Sequence, residues 1–235
     1  MRQLIPFLFT SGNMFCGFVS IILVSQQRFI PACYAIVIAG LMDGLDGIMA
    51  RLLKTKSSLG LELDSLADIV SFGIAPAFLL FKLYLEKQGA VGYLILFLFI
   101  VAGAIRLARF NIKSLRTPQT YRTTFQGLPI TVAGMLIATI PLVTSRLLPD
   151  KRTGLLLPII LLGLSFLMLS PIRYRKLERL LLVSQALVHS IFSIFILLPS
   201  LIIIILYGVG MFLFSALSCY IILEPILYIR RRCNR

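Results

Sequence analysis

An all-α, polytopic transmembrane bundle of about eight helices is what this chain predicts, on three observations. Of its 235 residues 59% are hydrophobic, and mean hydropathy is +0.98. Apolar runs of about 17 residues or more recur along it, enough to cross a hydrocarbon core about 30 Å thick. The breaks between them are short polar or turn-forming clusters. A soluble α/β enzyme with buried parallel strands would show short apolar runs in longer polar surroundings, and that class is set aside.

The helices are expected over residues 4–25, 29–52, 61–85, 90–112, 129–148, 153–170, 180–198 and 200–227. The opening "MRQLIPFLFTSGN" has the look of a signal peptide, yet its apolar stretch runs on to Val24 with no small-residue cleavage site, so it is expected as a retained first helix. "SQQR", "KTKSS" and "EKQG" end the first three helices, "SLRTPQTYRTTFQG" the fourth, "RLLPDKR" and "SPIRYRK" the next two, and "PS" at 199–200 separates the last pair. The expectation is one transmembrane domain over 1–235, with a catalytic core over about 4–170 and additional C-terminal helices over about 180–227. The cysteines Cys16, Cys33, Cys219 and Cys233 form no CxxC pair, so neither a zinc site nor a disulfide framework is expected.

Charge orients the bundle. Most of the 23 Lys and Arg residues flank the N-terminus and the ends of the even-numbered helices, whereas Arg28, Lys82, Lys87, Arg146, Lys151 and Arg152 lie on the opposite side. The positive-inside rule then puts both termini in the cytoplasm, and a prokaryotic cytoplasmic membrane is the expected location. A net charge of +14 is also compatible with nucleic acid, but basic residues that bracket membrane spans meet anionic phospholipid headgroups, so no nucleic-acid partner is expected. The "RRRCNR" tail reads as such an anchor, and the lone His189 as a neutral packed residue.

Against this basic background, "LMDGLDGIMARLLKTKSSLGLELDSLADIV" (41–70) gathers Asp43, Asp46, Asp64, Asp68 and Glu62 from only nine acidic residues. At 3.6 residues per turn Asp43, Asp46, Gly47, Ala50 and Arg51 share one helical face, and Gly60, Asp64 and Asp68 share another. An antiparallel hairpin closed by "KTKSS" would bring the faces together. Four carboxylates in one small site repel and need cations. Oxygen ligands alone suit Mg²⁺, Mn²⁺ or Ca²⁺, and four aspartates suit two ions better than one. Isolated acids such as Asp150 and Glu178 read as caps or solvated charges, but ionisable residues at membrane depth are costly and mostly functional. Gly47, Ala50 and Gly60 clear volume for close helix packing or for a ligand. With Arg51 added, the set describes a diphosphate site.

The pattern D-x-x-D-G-x-x-A-R, eight residues, then G-x-x-x-D-x-x-x-D, from Asp43 to Asp68, resembles the signature of the CDP-alcohol phosphatidyltransferases, integral membrane enzymes that displace CMP from a CDP-linked lipid with an alcohol. "GNMFCGF" (12–18), "LDSLADIVSFGIAPA" (63–77), "RLARFN" (106–111) and "FQGLP" (125–129) resemble the branch that uses serine. The likeness covers residues 4–135. Phe7 departs from it, since relatives carry asparagine after the proline, which removes one nucleotide contact; Thr10 and Asn13 are the remaining polar candidates on that helix.

The resemblance implies that Asp43, Asp46, Asp64 and Asp68 ligate two ions, Mg²⁺ or Mn²⁺, and that Asp68 is also the general base. It further implies that Thr10, Asn13, Asp43, Gly47, Ala50, Arg51 and Gly60 receive CDP-diacylglycerol, that L-serine is the acceptor, and that the enzyme is a homodimer. An aspartate near its ordinary pKa of about 4 is a weak base for a hydroxyl, so late proton transfer or help from crowded neighbours is required, and both routes stay open. Arg106, Arg109 and Asn111 are the candidates for the serine carboxylate, with positive-inside flanks or lipid contacts as the competing reading. A sister transferase using glycerol 3-phosphate or another alcohol is the alternative within the class, and a divalent-cation transporter the alternative outside it.

Overall fold

The computed structural model describes residues 4–53, 57–116, 124–147, 150–175 and 208–233. Helices α1 (Leu4–Ser25) and α2 (Phe29–Leu52) form an antiparallel hairpin. The turn between them is set by Gln27, which takes the left-handed φ of 61° while the Arg28 amide donates back to the Leu23 carbonyl at 2.8 Å. The hydroxyl of Ser20 donates to the Ala32 carbonyl and that of Thr10 to the Asp46 carboxylate, so the two helices stay in register from the turn to the acidic end.

The third helix, α3 (Ser58–Leu85), is a single rod with two wide turns. It is α-helical over Ser58–Asp68, π-helical over Ile69–Ile74, α-helical over Ala75–Leu80 and π-helical over Phe81–Leu85. Ser57 caps its start by accepting the Gly60 amide at 3.0 Å, which is why the helix begins at Ser58 and not at the expected residue 61. Pro76 has no N–H to continue the ladder, and the first wide turn immediately precedes its segment.

That wide turn is where neighbours press closest. A Cβ on Gly17 of α1 would lie 2.7 Å from the Ser71 Cα, and one on Gly134 would lie 2.6 Å from the Phe72 Cα. Ser71 donates to the Asn13 carbonyl at 2.8 Å. Two glycines on two helices therefore hold the residues just after Asp68 between them.

Beyond a 3₁₀ turn at Glu86–Gln88 follow α4 (Ala90–Arg116), strand β1 (Thr124–Gln126), α5 (Ile130–Leu147), α6 (Asp150–Leu169), strand β2 (Arg173–Arg175) and α7 (Val209–Cys233). Helix α4 packs along α6, while α5 packs against α2, α7 and the wide turn of α3. Ile36, Phe72, Leu79, Phe99, Ile137 and Leu161 are fully buried at the centre. Phe15, Phe97 and Phe166 are exposed on the outside, as lipid-facing side chains are. Among the described residues five helices are long and apolar enough to cross a membrane, and α5 and α6 contribute shorter apolar segments. The chain is a multi-pass membrane protein.

Two departures from the sequence expectation stand out. The expected helix over 180–198, with His189, and the first residues of that expected over 200–227 lie outside the described residues; α7 begins at Val209, after Gly208 at φ 83°. In the stretches expected as loops, β1 and β2 pair antiparallel, with Thr124 opposite Arg175, Phe125 opposite Tyr174 and Gln126 opposite Arg173. The pairing satisfies backbone groups that periodicity cannot assign, and the architecture stays helical. Gly127, at φ 79°, follows β1 and donates to the Ile172 carbonyl at 2.8 Å; a Cβ there would collide with the Met168 carbonyl oxygen.

Gly134→Val should lower the thermal midpoint of the detergent-solubilised protein, because overfilling a packed contact costs about 1–3 kcal/mol. Gly163→Ala, inside α6 where no neighbour lies within 4 Å of the added carbon, should keep or slightly raise the midpoint in the same melting experiment, since alanine favours a helix interior over glycine by about 0.5–1 kcal/mol.

Candidate active site

Helix α2 delivers Asp43 and Asp46, and the first α-helical stretch of α3 delivers Asp64 and Asp68. One carboxylate oxygen from each of Asp43, Asp64 and Asp68 lies within 4.8 Å of the others. Asp46 stands beside them, in hydrogen-bond contact with the Asp64 side chain and accepting the Thr10 hydroxyl at 3.0 Å. The faces read from helical periodicity do converge.

Helix α1 holds both faces from one side. Thr10 reaches Asp46 on α2, and one turn further on the Asn13 amide donates to Asp68 Oδ1 on α3 at 3.3 Å. Asp46 and Asp68 are buried. Asp64 Oδ1 is buried as well and has no hydrogen-bond donor among the described residues. A buried carboxylate oxygen left open among three other carboxylates fits a hard divalent cation and suits little else. The donor set and its spacing thus fit a metal site.

Among the described residues, Arg106 of α4 brings a positive charge to this cluster. It is 7% exposed and interacts electrostatically with Asp68 and Asp43, and with Tyr220 of α7. The other two candidates on α4 go elsewhere. Arg109 is exposed, and its Nη1 donates to the Leu169 carbonyl at the end of α6. The Asn111 amide donates to Glu62 at 3.1 Å and to Ser65 at 2.9 Å, tying α4 to a face of α3 other than the aspartate face. Gly47 has open space where a Cβ would stand, and Ala50 is half-buried on the same helix. Gly60 belongs to the cap of α3 as well as to the cleared face. The Arg51 side chain lies outside the described part of the structure.

Beside Thr10 a groove of about 390 Å³ opens along α1, lined by Phe7, Ser11, Met14, Phe15 and Phe18 and closed by Leu63 of α3. Phe7, the departure noted in the sequence, forms part of this apolar wall. Sequence reasoning did not single out Ser71, Tyr174, Tyr220 or Glu224. Ser71 carried no signal of its own. Glu224 did, as a carboxylate within an apolar span.

The chain matches the sequence model of the CDP-alcohol phosphatidyltransferase family over residues 3–174. It belongs to that family. It is similar to CDP-diacylglycerol–serine O-phosphatidyltransferase of Helicobacter pylori strain 26695, at 40% identity over 178 residues that cover 75% of this chain and 73% of that protein. The enzyme of the same name from Bacillus subtilis is 35% identical over 170 residues, 72% of this chain and 89% of its own length. That of Saccharomyces cerevisiae is 38% identical over 132 residues, 52% and 47% respectively. As a CDP-alcohol phosphatidyltransferase the protein is a divalent-metal enzyme, and the Asp43, Asp64 and Asp68 cluster can hold an ion. The matched segment runs from α1 into β2, and α7 lies beyond it.

The Asn111 contacts read as a structural tie. Asn111→Ala should lower the thermal midpoint, the two lost hydrogen bonds to half-buried and exposed partners costing about 1 kcal/mol of stability, with the acceptor KM unchanged. A many-fold rise in acceptor KM at an unchanged midpoint would place Asn111 in the substrate pocket instead.

Proposed function

We propose that the protein transfers a phosphatidyl group from CDP-diacylglycerol to the hydroxyl of L-serine, giving phosphatidylserine and CMP. The observation that carries the reading is the convergence of four aspartates, held by Thr10 and Asn13, in a chain whose relatives are named as serine O-phosphatidyltransferases. The matched core is the catalytic unit of one transmembrane domain, and the helices after it are additions to that unit.

In this reading Asp43, Asp46, Asp64 and Asp68 hold two ions, Mg²⁺ or Mn²⁺. When bound, the ions would offset charge on the donor diphosphate and on the departing CMP. The cleared faces at Gly47, Ala50 and Gly60 admit the cytidine and pyrophosphate, Arg51 meets the phosphates, and the groove along α1 takes an apolar part of the lipid. Asn13 occupies Oδ1 of Asp68, which leaves Oδ2 to receive the serine hydroxyl proton. The serine oxygen forms a bond to the phosphorus that carries diacylglycerol, the bond from that phosphorus to the bridging oxygen breaks, and CMP leaves with that oxygen. Arg106, buried next to Asp68, is placed to bind the serine carboxylate.

The basic flanks support a cytoplasmic site, where CMP and serine are soluble, and a prokaryotic cytoplasmic membrane around it. The family resemblance supports a homodimer, and two-fold symmetry is the commonest arrangement of oligomers.

Purified protein with CDP-diacylglycerol and Mg²⁺ or Mn²⁺ should release CMP when L-serine is added and stop on chelation by EDTA. CMP release with glycerol 3-phosphate but not serine would move the protein to a sister branch; metal flux into liposomes lacking CDP-lipid would make it a transporter. Asp68→Asn should lower turnover at least about a hundredfold, the range for loss of a general base, while CDP-lipid binding persists. Near-normal turnover in that variant would remove Asp68 from the role of base.

A further inference from the structure

Helix α1 sends two polar side chains into the aspartates, and they differ in what they leave open. Thr10 and Asn13, three residues apart, lie on one helical face. The Thr10 hydroxyl sits between the Pro6 carbonyl and Asp46 Oδ2, at 3.1 and 3.0 Å, so its capacity is used. Asn13 is fully buried, and its Nδ2 donates to Asp68 Oδ1 at 3.3 Å. A carboxylate oxygen only accepts, so the amide nitrogen must be the atom that faces it. The amide oxygen is left over: Asn13 Oδ1 is buried and has no hydrogen-bond donor among the described residues. Turning the amide over would set oxygen against oxygen. The backbone at Asn13 is held as well, by the Ser71 hydroxyl donating to its carbonyl at 2.8 Å and by the close approach of Gly17, one turn later, to Ser71.

An amide oxygen stranded in an apolar helix is costly, and this one belongs to the same cluster as Asp64 Oδ1, which is also buried without a donor among the described residues. Asp68, the partner of Asn13, places an oxygen within 4.8 Å of one from Asp64 and one from Asp43. Open oxygens from two helices beside one carboxylate are the chemistry of a cation site. Charge and coordination separate what each contributes. Four ionised aspartates balance two divalent ions, and a fifth carboxylate would exceed that balance. Mg²⁺ demands an octahedral shell, so oxygens that bring no charge are still needed, and an amide carbonyl is the hard neutral donor a side chain can offer. We propose that Asn13 Oδ1 is a neutral protein ligand of the divalent ion held beside Asp68, while its Nδ2 fixes the Asp68 carboxylate. The assignment rests on the four-aspartate metal reading above and deepens it, moving Asn13 from the nucleotide contact implied by the resemblance to the metal.

The test titrates Mn²⁺ into the full-length protein in detergent, without CDP-lipid or serine, and reads the free ion by electron paramagnetic resonance. Asn13→Ala should weaken Mn²⁺ binding roughly 10- to 100-fold, the range for losing a group that tunes a metal site. Unchanged Mn²⁺ affinity in this variant, with weakened CDP-diacylglycerol binding, would return Asn13 to the nucleotide and overturn the assignment. Asn13→Asp is the same size and keeps an oxygen, but it has no N–H for Asp68; it should bind Mn²⁺ at least as tightly as wild type. A loss as large as that in Asn13→Ala would mean that the amide acts only by steadying Asp68, which also overturns it. Asn13→Cys, titrated with Cd²⁺, should add a thiolate-to-metal charge-transfer absorption to the wild-type spectrum, and Cd²⁺ binding without that band would count against a ligand at this position. Should Asn13→Ala not fold, the aspartate and cysteine variants carry the test. A wild-type protein that binds no Mn²⁺ would instead overturn the metal reading on which the ligand depends.

Discussion

Four carboxylates held together at membrane depth impose the constraint around which this molecule is built. Like charges in a low-dielectric surrounding repel strongly, and the repulsion is relieved only by cations, by hydrogen-bond donors, or by both. The protein supplies donors from α1, where Thr10 and Asn13 reach one aspartate on each of the two following helices. It supplies a fixed cation, Arg106, from α4. Asp64 Oδ1, buried and without a donor among the described residues, leaves room for a metal ion to supply the rest. Helices α1 to α4 each hold part of the cluster, so the early half of the fold and the site form one unit.

Close backbone approach makes that unit possible. Donors as short as threonine and asparagine reach the aspartates only if α1 lies nearly against α2 and α3. Gly17 permits this on one side of the wide turn after Asp68, and Gly134 of α5 presses on the other. The Ser71 hydroxyl, donating to the Asn13 carbonyl, fixes the same turn to the residue whose side chain holds Asp68. The wide π-helical turn thus shifts the register of α3 directly behind the aspartate assigned as the base. Packing and chemistry are coupled there through a few atoms.

Much of this was legible without a structure, and the reason is periodicity. Asp43, Asp46, Gly47 and Ala50 fall on one face of any α-helix that contains them, as do Gly60, Asp64 and Asp68, and the short "KTKSS" link allows little besides a hairpin. Helices α1 and α2 were likewise bounded correctly, because "SQQR" interrupts two long apolar runs. The wide turns of α3 were not legible, since an apolar run reads alike at 3.6 or at more residues per turn. The β1–β2 ladder was invisible for another reason: two three-residue strands, separated by two helices, offer no periodic signal.

What the sequence by itself determined is the set of elements and the local faces they present, because both depend on neighbours within a few residues along the chain: the membrane spans, the paired aspartate faces, and the family signature they compose. What only the tertiary structure decided is which distant groups meet those faces. Arg106, Arg109 and Asn111 sit within two helical turns of one another, yet the first faces the aspartates, the second the end of α6, and the third Glu62 and Ser65. Tyr220, more than a hundred residues beyond, lies within electrostatic reach of Arg106. Those partnerships arise from how helices are oriented around a shared core, and spacing along a single helix carries no record of that orientation.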